Sequence, residues 1–273
     1  MLRCRCVYFV LTTVAVVCAL YTNGVAQKRI AVGQSVTAVF ADMLDNCYVV
    51  EEDRVTKLDS LLNPIGRFRS SNGRVESVDA VDPFKILLFQ KDFYRITILD
   101  NTFSQIGESL FLPDLGSNLP VFACNNPEGG FWIFDGVEEK LLFFRNGNDI
   151  SFTSADLNPL LGNNRPTRLA CSGGLLFLGI EDKGVAVFDK FGGFKHLISL
   201  PECAKNFVVN YGKIFFADSS GDICVVSATL LGDKQMCFKK RFEYQGFAVG
   251  KKYLFFVSEN SVFTIPLPDE YRN

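Results

Sequence analysis

Histidine is almost missing from the 273 residues, with His196 the single example. A metal site built on two histidines is therefore excluded within one chain. A serine-histidine-aspartate arrangement would have to pass through His196, and no Gly-x-Ser-x-Gly elbow accompanies it. His196 is expected to be a polar residue near a strand edge. No two cysteines have Cys-x-x-Cys spacing, which speaks against a structural zinc site or a thioredoxin-type redox motif. Nor is there an Asp-x-Asp-x-Asp calcium loop. An excess of positive charge is also lacking. Lys plus Arg total 28 against 30 for Asp plus Glu, a net charge of -2, so a broad nucleic-acid-binding surface is not expected.

What is present is apolar: 48% of residues are hydrophobic and 27 are Phe, a composition that excludes a mainly disordered chain. At the N-terminus, Arg3 and Arg5 precede an uncharged run from Val7 to Tyr21, and Gly24, Val25 and Ala26 follow. This order of charge, apolar run and small residues is that of a secretory signal peptide over 1–26. The run is shorter than the roughly 20 residues of a membrane span. Val17 rather than a small residue stands before Cys18, so a lipid anchor is not expected. The expectation is an exported protein, periplasmic or associated with the outer membrane, with no transmembrane span once the leader is removed. Removing two arginines takes the formal charge from -2 to -4. Six cysteines then remain: Cys47, Cys124, Cys171, Cys203, Cys224 and Cys237. Export permits disulfides, but most of these residues stand beside Val, Phe or Ala, where a thiol behaves as a small hydrophobe. Cys224 and Cys237 flank a turn symmetrically and form the one expected pair. Cys124 and Cys171 read as equivalent positions of neighbouring repeats, too far apart to bridge.

After Gln27 no long segment has helical periodicity. Short apolar runs recur instead: Lys85 to Phe89, Leu175 to Leu178, Lys213 to Phe216 and Tyr253 to Phe256. They are rich in β-favouring residues and continuous rather than alternating, as in strands buried on both faces. Second strands end at Asp59, Asp100, Asp135, Asp189, Ser227 and Leu267, a mean step of 41.6 residues from 59 to 267. Units of four short strands at this period predict an all-β, six-bladed β-propeller over 27–273. The last unit lacks room for its outermost strand, so Arg29 to Gly33 is expected to pair with the C-terminal strand and close the ring. The irregular step from Asp135 to Asp189 places an insert, with a short helix or rim loop, around Ser154 to Pro159.

The segment Gly212 to Ile223, with Ala217-Asp218 at its centre, resembles the NHL-type repeat, roughly Gly-x-Ile-Tyr-Val-Ala-Asp followed by Arg-Ile. Cys47 to Asp59 and Leu175 to Phe194 are similar. The resemblance implies six blades. Asp82 to Asp100 also resembles a group of exported propeller-like proteins of Bacteroidota, which implies an envelope location and supplies no chemistry.

The candidates for chemistry are few. Propeller hydrolases of the lactonase type hold a divalent cation with carboxylates at the channel mouth, and Asp42, Asp45, Asp82, Asp92, Asp218 and Asp222 are the candidates here. Asp59, Asp100, Asp135 and Asp189 instead recur with the repeat, which points to turn formation. Trp132 is expected to pack between blades, or alternatively to offer a stacking platform. Quinone-cofactor propellers carry repeated tryptophan motifs, which a single Trp132 does not provide. Arg67 and Arg69 form one short basic cluster, and Lys239 to Arg241 another. With Trp132 and Arg145, Arg67 and Arg69 are the candidate residues for partner binding. The expected function is a non-enzymatic scaffold, monomeric on its own, that binds another envelope protein. It needs no cofactor, and the lactonase-type hydrolase is the alternative.

Overall fold

A computed structural model describes residues 28–33, 36–145, 149–200, 207–229, 236–239, 242–258 and 260–272. The proposed leader, 1–26, and Cys203 lie outside them. Six separate four-stranded sheets account for all the strands. The first strand, β1 (Lys28–Ala31), stands apart from its neighbours in sequence. Blade 1 then comprises β2 (Val36–Ala41), β3 (Cys47–Glu51), β4 (Arg54–Leu58) and β5 (Pro64–Arg69). Blade 2 comprises β6 (Ser77–Asp79), β7 (Ile86–Gln90), β8 (Arg95–Leu99) and β9 (Leu110–Phe111). Blade 3 is β10 (Pro120–Asn125), β11 (Phe131–Asp135), β12 (Lys140–Phe144) and β13 (Ile150–Thr153). Blade 4 is β14 (Pro166–Ser172), β15 (Leu175–Ile180), β16 (Gly184–Phe188) and β17 (Phe194–Ser199). Blade 5 is β18 (Phe207–Asn210), β19 (Lys213–Ala217), β20 (Ile223–Ser227) and β21 (Met236–Phe238). Blade 6 has β22 (Gly246–Val249), β23 (Tyr253–Ser258) and β24 (Ser261–Pro266), and its fourth place is filled by β1. Lys28 pairs with Thr264 and Ala31 with Ser261, so the two ends of the chain share one sheet.

The first strands β2, β6, β10, β14, β18 and β22 touch in a closed ring and surround the central channel. The four continuous apolar runs became second strands, β7, β15, β19 and β23. Every residue of β7, β11 and β16 is buried, because a blade between two others has no wet face. Outermost strands have exposed and half-buried positions only, as in β5 and β17. Packing between blades is continuous: Trp132, Phe134 and Phe143 of blade 3 share a core with Leu176, Leu178 and Phe188 of blade 4. Gly184 opens β16 at φ +129°, and a Cβ there would lie 2.1 Å from the carbonyl oxygen of Ile198. Only glycine allows β17 that close.

One turn is used five times. Oδ1 of Asp42, Asp59, Asp100, Asp189 and Asp218 accepts backbone N–H bonds from the residues two and four positions on, at 2.8–2.9 Å. The residue three positions on is left-handed in each: Asp45, Leu62, Phe103, Gly192 and Gly221. The aspartate substitutes for the amide partners that a five-residue hairpin turn leaves unmade. Asp135 does something else. It ends a second strand, β11, and its Oδ2 accepts from Ser117 Oγ at 2.7 Å and from Leu119 N at 3.0 Å, tying down the link that enters blade 3. The true repeat mark is the end of each third strand, at Leu58, Leu99, Phe144, Phe188, Ser227 and Pro266, with steps of 41, 45, 44, 39 and 39 residues. Measured from Phe144, the 54-residue irregularity disappears. A short helix, α1 (Asn158–Leu161), does lie in the link between blades 3 and 4.

Cys224 and Cys237 pair directly across β20 and β21 and form a disulfide, with Cα atoms 4.0 Å apart. Cys47, Cys124 and Cys171 are free and buried. Cys124 and Cys171 are not equivalent residues. Pro120 and Pro166 both precede a one-residue bulge, and counting from them aligns Cys124 with Ala170. Cys124 and Cys171 meet in the same core, between blades 3 and 4.

Candidate functional site

The channel encloses a cavity of about 660 Å³. Met43 and Tyr211 line one mouth, and Arg74 and Glu76 line the other. Its wall is built mainly from small apolar residues of the first strands, among them Ala38, Val39, Val78, Ala123, Val208 and Ala248. Two charged side chains interrupt this wall. Arg168 follows the bulge at Thr167 in β14, where blade 3 has Phe122 and blade 1 has Ala38. Its guanidinium lies 5.7 Å from the ring of Phe40, on the opposite side of the channel, and 5.9 Å from that of Phe207. No acceptor among the described residues hydrogen-bonds to it. Burial pulls the Arg168 pKa below its usual value, and the charge of Asp79 partly restores it.

Asp79 ends β6. Oδ1 accepts from Val81 N at 2.9 Å and Oδ2 from Asn125 N at 3.1 Å. Burial raises its pKa to about 6 despite these bonds and the field of Arg168. Both side chains are half-buried and touch the channel. They are nonetheless ringed by protein, and this confined space explains why both charges are poorly hydrated. Asp79 and Arg168 feel each other across the cavity without forming a contact ion pair. Beside them the thiol of Cys171 is pushed up to about 12, and that of Cys124 well above its ordinary value, chiefly by burial. Both stay neutral.

First turns of adjacent blades clamp one another at three junctions. Asn125 Nδ2 donates to Lys85 O at 2.6 Å, Asn210 Nδ2 to Gly250 O at 2.9 Å, and Lys252 N to Asp45 Oδ1 at 2.8 Å. These contacts put the turns between first and second strands on one face. Lys57, 5% exposed, joins that face from β4: its ammonium donates to Asn101 O at 3.2 Å and lies over the ring of Tyr48. Burial lowers its pKa, opposed by Asp42 and Asp100.

The carboxylates considered for a cation are not assembled. Asp42, Asp45 and Asp82 lie on the face of the first turns, while Asp92, Asp218 and Asp222 lie in turns between second and third strands, on the opposite face. Asp42 is saturated by two amides, Asn46 Nδ2 and the Tyr48 hydroxyl, the last two at 2.7 Å. Among the described residues one set of three potential ligand atoms converges, that of Asp218, Cys224 and Cys237, and its two sulfurs are bonded to each other. His196 sits on the outermost strand of blade 4, with Nε2 3.2 Å from Ala228 O, far from the channel wall.

The residues singled out for partner binding are scattered. Trp132 is 1% exposed, its ring 4.9 Å from that of Phe143, so it packs between blades and presents no stacking platform. Arg67 and Arg69 are exposed on the edge strand of blade 1, and Arg69 Nε pairs with Asp53 at 2.8 Å. Arg145 is exposed after β12 and lies over Phe152. The residues missed in the sequence are Arg168 and Asp79. Their signal is a charged side chain at the edge of the short apolar stretch that forms a first strand.

Large exposed hydrophobic side chains are unevenly placed among the described residues. Met43, Leu44, Phe84 and Tyr211 occupy turns between first and second strands, and Leu61, Ile106 and Phe191 turns between third and fourth strands. All seven share one face, whereas the opposite face has Phe93 and Val137.

No family model and no curated protein matches the sequence. Solved structures do. Virginiamycin B lyase from Staphylococcus aureus superposes with a TM-score of 0.59 at 9% identity, covering 89% of this chain and 99% of the lyase. A streptogramin B lyase gives 0.59 at 11% identity over 89% and 97%. BBS1N, solved in complex with ARL6DN, gives 0.55 at 15% identity over 87% and 79%. At such identities what is shared with these proteins is the β-propeller fold alone; the count of six blades is that of this chain.

Proposed function

We propose that the protein is an exported, non-enzymatic propeller that docks another envelope protein on the face bearing its apolar turns. The observation that carries this reading is the seven-to-two division, among the described residues, of large exposed apolar side chains in the turns of the two faces. Isolated exposed hydrophobics are ordinary, but their concentration on one surface marks an interaction site. Arg145 lies on the same face and supplies a charged rim residue. The leader over 1–26, together with the likeness to NHL repeats and to exported propellers of Bacteroidota, supports the envelope location. BBS1N supports the scaffold role, being a propeller solved with a protein bound.

The enzymatic alternative has less support. A histidine-to-alanine variant of virginiamycin B lyase is catalytically inactive, whereas the lone histidine here is on an outermost strand. A lactonase-type cation would need carboxylates that this fold has split between two faces. Photo-crosslinkers at Leu44, Phe84 and Phe191, with Phe93 and Val137 as opposite-face controls, test the docking reading in cells. The expected result is one common adduct from the first three positions, lost when Leu44 and Phe84 are both replaced by Asp. Adducts only from Phe93 and Val137, or none from any position, would refute it.

A further inference from the structure

We propose that the central channel binds a small organic monocarboxylate with an apolar body, its carboxylate paired with Arg168 and its body lying along the Ala and Val wall. This goes beyond the docking of a partner and uses a different part of the molecule. Three observations lead to it. The cavity of about 660 Å³ is of the size that small-molecule sites occupy, and its wall joins an apolar stretch of Ala and Val to charged groups, as such sites do. The Arg168 guanidinium lies near the rings of Phe40 and Phe207, with no hydrogen-bond acceptor among the described residues. A planar guanidinium so placed offers paired N–H donors to a planar carboxylate. The third is charge balance. One cation, Arg168, faces the cavity from mid-wall, and Asp79 opposes it, so with Asp79 protonated a single negative charge is balanced and a compact divalent anion is disfavoured.

Asp79 sets the pH at which the site opens. It is faced by Arg168 on β14 and by the neutral thiols of Cys124 on β10 and Cys171 on β14. Ionised Asp79 repels an incoming carboxylate, and protonated Asp79 does not. With a pKa of about 6, the receptive form falls from about nine-tenths at pH 5 to about 3% at pH 7.5, so apparent affinity should weaken about 30-fold over that interval.

Isothermal titration of the full mature protein with benzoate and hexanoate, at pH 5 and pH 7.5, tests this. Benzamide and sulfate serve as uncharged and compact divalent comparisons. Saturable binding of a carboxylate is expected, tighter at pH 5, with benzamide and sulfate at least tenfold weaker. Arg168→Gln should abolish binding, and Asp79→Asn should bring the affinity at pH 7.5 to that at pH 5. Asp79→Asn keeps the test decisive if Arg168→Gln fails to fold. No saturable binding at either pH, equal binding of benzamide or sulfate, or a pH dependence unchanged in Asp79→Asn would overturn the proposal.

Discussion

Asp79→Asn should stabilise the protein at neutral pH and lose that benefit in acid. The carboxyl pKa rises from 3.8 to about 6 on folding because the group is taken from water into the channel. At 1.36 kcal/mol per pKa unit this is about 3 kcal/mol. Since the folded value lies above the unfolded one, the cost is absent below pH 3.8. It grows as the unfolded chain ionises, and is complete once pH passes 6. Asparagine removes this cost but provides one oxygen where Val81 N and Asn125 N use two, a loss of about 1 kcal/mol. The variant should therefore gain about 2 kcal/mol at pH 7.5 and lose about 1 kcal/mol at pH 3.5. The 3 kcal/mol swing between the two conditions does not depend on the lost acceptor. Urea unfolding of both proteins at both pH values measures it. A difference that is the same at pH 7.5 and 3.5 would show that Asp79 is well hydrated, and the account of the channel would fail with it.

Native protein should show blue-shifted fluorescence, poorly quenched by iodide, because its single tryptophan is buried between blades 3 and 4; Trp132→Ala should cost about 3–5 kcal/mol. Alkylation without reductant should leave Cys224 and Cys237 unlabelled even in denaturant. Cys47, Cys124 and Cys171 should react only after unfolding, and Cys237→Ser should lower stability by about 2–3 kcal/mol. Asp189→Ala, which strips the acceptor from Phe191 N and Gly193 N, should cost about 1 kcal/mol by thermal melts, and Asp189→Asn less.

The blades were legible in the sequence because sheets buried on both faces need unbroken apolar runs such as Ile86 to Phe89. These runs carry the period. The count of repeats survived a wrong mark: Asp135 looks like Asp100 and Asp189 in sequence, yet it ends a second strand and braces an entering link. The same five-residue aspartate turn appears between first and second strands at Asp42, between second and third at Asp218, and between third and fourth at Asp59. A local hydrogen-bond solution therefore reports a hairpin without saying which hairpin. Cys124 and Cys171 were misaligned for a related reason. The match was anchored at the cysteines, whereas the backbone is in step at Pro120 and Pro166, and one residue reverses the side of a strand. Arg168 and Asp79 were passed over because each looks like an ordinary charge at the edge of an apolar stretch. Only closure of the ring turns those positions inward.

That closure has a consequence for how the protein comes into being. Lys28 finds its partner 236 positions later, at Thr264. A ribosome would thus add more than two hundred further residues before β1 has anywhere to go. Until then β1 is an unpaired ribbon, and β24, once made, is a naked border inviting a stranger's strand. Joining the two costs the entropy of gathering a very long loop, which slows assembly. Once fastened, the same seam makes opening any blade a matter for the whole circle.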